Sequence, residues 1–329
     1  MSLKKQAPYM LATERSIRVI IDTDAYNQFD DQFALAHALM TPKLDVLGIV
    51  AEQYGTRIDE YSEQHSYEEI CNILNLMDLA GEIPVFHGAA VPLRSESDPI
   101  RSEGAEFIIR EALREDPRPL FVCNLGAVTN LACAYLMEPE IENRIHAIWI
   151  GGSHLPEGEF EFNQNHDICA SNVLMKSRIP LWQVTKAAYR CMVVPMSELY
   201  ENVHPCGKIG RYLTEYAIAF QNHIDDILLN RKPGYQDFIG RSYGLLSTAE
   251  RATNFGGEIV LLGDSPAVGL LLRHDLGRYE IRSAPRQIFV DGACDRSAPG
   301  SRDIRVYYEM NSSVIFRDMY SKFRMYYGK

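Results

Sequence analysis

Arg18-Val19-Ile20-Ile21-Asp22-Thr23-Asp24-Ala25-Tyr26-Asn27-Gln28-Phe29-Asp30-Asp31 decides how the rest of the chain is read. An apolar, β-branched run ends in alternating acids, a short loop follows, and two further aspartates open a stretch with Phe33, Ala36, His37 and Met40 at helical spacing. That is a strand, a loop and a helix, with acidic groups at the strand's carboxyl end. The pattern repeats along the chain. Strands are predicted at Leu44 to Val50, Pro84 to Phe86, Pro119 to Cys123, Ile145 to Ile150 and Pro180 to Val184, and helices at Tyr67 to Leu79, Glu103 to Arg114 and Thr129 to Met137. Strands alternating with helices of this length predict an α/β fold, an open and mostly parallel sheet with helices on both faces. After Pro195, Ile209, Leu213, Phe220, Ile224 and Leu228 mark one long amphipathic helix, a helical insertion near 196–255. Further strands are expected at Ile259 to Leu262, Tyr279 to Arg282, Gln287 to Val290 and Ile304 to Tyr308, and a closing helix at Ser312 to Tyr327. With no linker or repeat, 1–329 reads as a single domain.

Composition narrows the function. The 44 acidic residues exceed the 33 basic ones, a net charge of -11 that repels nucleic acid and anionic membrane, so a small neutral ligand or a cation is the expected partner. Seven scattered cysteines without a CxxC pair suggest buried thiols in a reducing cytoplasm. Every apolar run is interrupted well short of the ~20 residues of a membrane span, and the expected location is cytoplasmic.

In an open α/β sheet, ligands bind beyond the carboxyl ends of the strands. Asp22, Asp24, Asp30 and Asp31 converge there, and clustered like charges are costly unless a cation compensates. Any one pair has an ordinary explanation as caps and first-turn acids. All four together point to a hard cation, calcium or magnesium, because no His or Cys accompanies them. Asp264, after the apolar run Ile259 to Leu262, is a second acidic site of the same kind.

In order along the chain, these blocks resemble the nucleoside hydrolase family, the inosine-uridine-preferring N-ribohydrolases. Asp22-Thr23-Asp24 with Asp30-Asp31 is similar to its amino-terminal aspartate cluster, and Leu125-Gly126-Ala127-Val128-Thr129-Asn130 to its second signature. Ile150-Gly151-Gly152 and Glu161-Phe162-Asn163, with Asp167 shortly after, resemble its ribose-binding block. Asp264-Ser265-Pro266-Ala267-Val268 resembles its late aspartate and helix start. The resemblance implies a Ca2+-dependent hydrolase of the N-glycosidic bond of a ribonucleoside, working as a homodimer or homotetramer. It implies Asp24, Asp31, the Leu125 carbonyl and Asp264 as metal ligands and Asp24 as general base. Asp30 would hold the ribose 2-hydroxyl, and Glu161 and Asn163 the 3- and 5-hydroxyls.

The sequence departs from the family in two places. The loop between Asp24 and the aspartate pair is two residues longer and lacks a Pro-Gly, which lets Asn27 enter the site as an extra polar contact. Gly263 stands where many members carry the His that protonates the departing base. Glu103, His154, Arg241 and Tyr243 are the candidate replacements, and one of Tyr235, Phe238 and Tyr243 could stack on the base; Tyr216 and Phe220 read as core. Two rival readings stand beside this one: a ribonucleoside binder with little turnover, suggested by Gly263, and a magnesium phosphohydrolase of the haloacid dehalogenase type. The second requires Thr or Val at position 26, where Tyr26 stands.

Overall fold

The computed structural model describes residues 9, 15–222, 258–297, 300 and 302–328. Eight strands form its central sheet: β1 (Ile17–Thr23), β2 (Leu44–Ala51), β3 (Val85–Phe86), β4 (Leu120–Asn124), β5 (Ile145–Ile150), β6 (Leu181–Val184), β9 (Gly277–Ser283) and β10 (Asp303–Met310). Across the sheet they lie in the order β3-β2-β1-β4-β5-β6-β10-β9. All neighbours pair parallel except β9, which runs antiparallel on β10. Strand order reverses beside β1: the chain steps outward to β2 and β3, then returns to lay β4 on the other side. This is the switch point at which open α/β sheets leave a crevice at their carboxyl edge.

Side-chain alternation along the central strands feeds two cores. Val19 and Ile21 face one core, Ile20 the other. The first core is closed by α1 (Asp30–Leu39), α2 (Ser62–Leu76), α9 (Gly207–Asn222), α10 (Ser265–Leu272) and α11 (Ser312–Tyr327). The second is closed by α3 (Glu103–Leu113), α4 (Thr129–Met137) and α6 (Ile168–Lys176). The expected fold class, a mostly parallel sheet covered on both faces, is what the chain adopts. Outside the large sheet, β7 (Val193–Pro195) pairs antiparallel with β8 (Ile259–Leu261).

Two helices, α1 and α10, position the acids of the crevice. In α1 every residue from Asp31 to Leu39 is buried, and in α10 every residue from Ser265 to Leu271. Helices without a polar face must be covered on all sides, and these two pack on each other. Their amino ends therefore meet, and Asp30, Asp31 and Asp264 sit at those ends.

Some boundaries differ from expectation. α2 starts at Ser62 rather than Tyr67, because its first turns bury polar groups that break the apolar period; Glu63, for example, accepts the Gly88 N–H at 3.0 Å. The strand expected at Gln287 to Val290 is only an isolated bridge from Ile288 to Cys294. The Asn172 side chain takes both ladder positions of Ile288, accepting its N–H at 2.7 Å and donating to its carbonyl at 3.1 Å. The insertion opens with α8 (Met196–Asn202), which the sequence pattern does not mark, while α9 carries Ile209, Leu213 and Phe220 of the expected helix; Ile224, Leu228 and the rest of it to 255 lie outside the described residues. No described helix is long and apolar enough to cross a membrane.

Phe33 is fully buried between α1 and the first core. Phe33→Ala should lower unfolding free energy by about 3–5 kcal/mol in a urea titration. A change below ~1 kcal/mol would show that this helix does not depend on its apolar packing.

Candidate functional site

At the switch point a cavity opens between the carboxyl ends of β1, β4, β5 and β6 and the amino ends of α1 and α10. Asp24, Asn27, Asp30, Asp31, Leu125, Glu161, Asn163 and Asp264 line it, so the residues singled out in the sequence as metal ligands or sugar contacts are in one place. Carboxylate oxygens of Asp30, Asp31 and Asp264 lie within 4.8 Å of one another, with Asp24 beside them in the same cavity. The tightest trio thus contains Asp30, which the resemblance gave to the sugar.

Asp24, Asp30 and Asp31 are each held by a neighbour. The Thr23 hydroxyl donates to Asp31 Oδ1. The Asn27 amide donates to Asp24 Oδ2 at 3.2 Å, so the longer loop does put Asn27 into the site. The Gly263 N–H donates to Asp30 Oδ2 at 3.0 Å. Gly126 has to be glycine: a Cβ there would stand 2.6 Å from Asp24 Oδ1. Asn163 donates both amide hydrogens to main-chain carbonyls, to Leu125 at 2.7 Å and to Ile150 at 2.9 Å. Glu161 caps α5 (Phe162–His166), accepting from the N–H groups of Asn163 and Gln164.

Burial governs the electrostatics. It pushes the Asp30 carboxyl up to about 7, with the Asp31 charge adding to the effect. It raises Asp31 to about 6 against the opposing hydrogen bond from Thr23. Asp24 and Asp264 are held well above the ordinary range, first by burial and then by the charges of the other acids. Asp264 is within hydrogen-bonding reach of Asp30 and Asp31, a contact between acids that needs a shared proton or a cation. The cavity lining holds no Lys, Arg or His among the described residues. An all-oxygen, anionic donor set of this kind, with Asp31 and Asp264 buried and Asp30 half-buried, fits a hard divalent cation.

Asp22 does not join them. It is fully buried, and its Oδ1 accepts the Asn130 amide at 2.9 Å. With Glu52 and Asp167 it forms a second acidic layer behind the cavity, tied by Thr129, whose N–H donates to Glu52 and whose hydroxyl donates to Asp167, each at 2.9 Å. Asp167 also caps α6 through the Ala170 N–H and does not line the cavity, so it lies behind the Glu161-Phe162-Asn163 block. The Thr129-Asn130 pair of the second signature thus joins strand ends to each other.

Among the candidates for protonating a leaving group, Glu103 and His154 are exposed and do not line the cavity. Arg241, Tyr243, Tyr235 and Phe238 lie outside the described residues. Phe220 is core, packed on Phe29 with ring centroids 5.3 Å apart. Sequence reasoning missed Tyr189, which follows the carboxyl end of β6 in the short helix α7 (Lys186–Tyr189) and lines the cavity. Its position after a strand end was the available signal.

An acid-lined crevice at the switch point of a mostly parallel sheet is where an open α/β fold would hold a cation and a small ligand. The profile of the inosine-uridine preferring nucleoside hydrolases matches residues 19–283, and the chain belongs to that family. It is 27% identical to the non-specific ribonucleoside hydrolase RihC of Salmonella paratyphi B over 50% of this chain and 60% of that one. The chain spans between 54% and 60% of the length of such curated relatives. In fold it is similar to the plant nucleoside hydrolase PpNRh1 (TM-score 0.68, 16% identity, covering 93% of this chain and 98% of that one). It is also similar to the purine-preferring ribonucleoside hydrolase of Gardnerella vaginalis (TM-score 0.67, 17% identity, covering 94% and 99%).

The raised carboxyls give a signed pH dependence. Asp30 and Asp31 keep protons in the folded state that the unfolded chain has released by about pH 4. Metal-free protein should therefore lose stability as pH rises from about 4 to 7. Calorimetry in chelator should show the melting temperature falling between pH 5 and pH 7.5, and excess calcium should flatten that fall. A profile in chelator that is level or rising would contradict the raised proton affinity of these acids.

Proposed function

We propose that the chain is a calcium-dependent N-ribohydrolase that splits the bond between ribose and base in a ribonucleoside. The observation that carries this reading is the meeting of Asp30, Asp31 and Asp264 in one buried, acceptor-lined cavity. Carboxylates, amide oxygens and the Leu125 carbonyl suit a cation and the hydroxyls of a neutral sugar. They repel a phosphate, which favours nucleosides over nucleotides.

Asp24, Asp31, Asp264 and the Leu125 carbonyl are the proposed metal ligands, with Asp30 close enough to share the task or to accept the 2-hydroxyl. The Leu125 oxygen accepts one bond from Asn163 and keeps a second lone pair for this purpose. When bound, the ion would supply positive charge that keeps these acids ionised and orders the sugar's diol. Asp24 is the proposed general base. Burial and neighbouring acids raise its basicity toward the range a base needs, and Asn27 holds one of its oxygens in place. As water attacks the anomeric carbon its proton passes to Asp24, and the base departs with the bonding pair. The surrounding carboxylates stabilise the oxocarbenium-like charge between those events.

Gly263 favours one second reading, a ribonucleoside binder of low turnover. A Cβ at this position would lie 3.1 Å from Asp30 Oδ2 and 3.5 Å from the Tyr189 ring, so these two side chains close in on the place of a proton-donating side chain. Purified protein with calcium should release reducing sugar from at least one nucleoside in a panel, and chelator should abolish it. Asp264→Asn should weaken calcium binding by at least about tenfold in calorimetry, since it removes one charge from the ligand set. Tight nucleoside binding without product would favour the binder, and neither binding nor release would overturn both readings.

A further inference from the structure

The ribohydrolase reading carries with it the sugar contacts that the family resemblance implies for Glu161 and Asn163, and the role assigned to Tyr189 rests on it. We infer that Tyr189 is a positioning residue that sets specificity: its phenol caps the Glu161 carboxylate, so a sugar hydroxyl can reach that acid only by displacing a bond already made.

An ionised carboxylate offers about four lone-pair positions. In Glu161 all four are in use. Oε2 accepts the N–H of Gly152 at 2.7 Å and of Gln164 at 2.9 Å. Oε1 accepts the N–H of Asn163 at 3.3 Å and the Tyr189 hydroxyl at 2.9 Å. Three of these donors are main chain; two of them belong to the cap of α5 and cannot leave without fraying it. The phenol is the one donor of the four that a side-chain rotation releases. A hydroxyl binding at Oε1 therefore exchanges one hydrogen bond for another, and the net gain is small.

Asp24, Asp30, Asp31 and Asp264 present the opposite case, because all four line the same cavity and the carboxylate oxygens of Asp30, Asp31 and Asp264 lie within 4.8 Å of one another there. The site should thus read the hydroxyls that meet these acids strongly and the hydroxyl that meets Glu161 weakly. The site should therefore tolerate ribosides in which that hydroxyl, on carbon 3 or carbon 5, is missing or replaced.

Methyl ribofuranoside and its 3-deoxy and 5-deoxy counterparts are furanose-locked probes without a nucleobase. They can be titrated calorimetrically, in calcium, into wild type and Tyr189→Phe. The Phe variant keeps the ring, and thermal unfolding will establish that it is folded. In wild type, one of the two deoxy sugars should bind within about threefold of the parent. In Tyr189→Phe the parent should gain over that same sugar by about tenfold, the value of a new hydrogen bond to a charged acceptor. A purely structural role for Tyr189 would shift all three sugars together. An unchanged ratio, or wild type that already discriminates against both deoxy sugars by tenfold or more, overturns the cap while leaving the ribohydrolase reading intact. Failure of every sugar to bind either protein overturns that reading and this inference with it. A structure of wild type with the parent sugar should show the phenol oxygen moved off Glu161, and a phenol still bonded there with the hydroxyl alongside would overturn the proposal.

Discussion

The site depends on holding several carboxylates together out of water. Two unit charges 4.8 Å apart at an effective dielectric constant near 20 repel by roughly 3 kcal/mol. Each helix amino end contributes only about 0.3–1 kcal/mol toward stabilising an anion. The macrodipoles of α1 and α10 therefore cannot offset the repulsion among Asp30, Asp31 and Asp264, still less that from Asp24. Protons or a cation must supply the rest. The hydrophobic packing of α1 on α10 is what enforces the arrangement. Both helices are buried on all sides, so neither can slide away to relieve its acids. Apolar burial thus provides the driving force, and the acids take the strain as raised proton affinity.

Behind the cavity, the second acidic layer sets the first in place without taking part in it. Asp22 belongs to β1, Glu52 follows β2 and Asp167 opens α6, and the Thr129-Asn130 pair bonds to all three. Asn130 also accepts the Ala89 N–H at 2.7 Å and donates to the Ala51 carbonyl at 3.2 Å, tying in the loop that follows β3. One helix amino end thus gathers four segments at the switch point. Buried polar networks of this kind specify one geometry, because each partner lost leaves a desolvated group unpaired. The cavity's acids are aimed by a frame that contains no substrate-facing group of its own.

The fold was legible in the sequence wherever the apolar period was uninterrupted. The runs at 18–22, 119–123, 145–150 and 180–184 became neighbouring strands, and Ser312 to Tyr327 became α11 with those bounds. Legibility failed where polar groups were buried or side chains replaced backbone pairing. Ser62 and Glu63 hid the start of α2, and Asn172 turned Gln287 to Val290 from an expected strand into a loop. In the site, the aspartates stood out because acids at strand and helix ends form a local pattern. Tyr189 did not, since its place after a strand end is a weak signal by itself and only the bond from its hydroxyl to Glu161 gives it a role. Asp22 misled in the other direction. Two residues from Asp24 in sequence, it suggests a shared face, yet β1 ends at Thr23, and Asp24 lines the cavity while Asp22 is buried against Asn130.

The two departures from the family pattern share one geometry. Gly263 loses a side chain, but its bare N–H meets Asp30 Oδ2 at 3.0 Å, and the 3.1 Å left for a Cβ shows how closely the acid has approached that backbone. Asp30 follows the lengthened loop, whose Asn27 holds Asp24. The extra residues and the glycine thus act on the same pair of acids, one through a side-chain amide and the other through a main-chain amide. In both places a neutral donor stands beside a carboxylate without discharging it. On the proposed reading, that arrangement keeps the acids available to a cation and a diol, and it moves the burden of activating the departing group away from position 263.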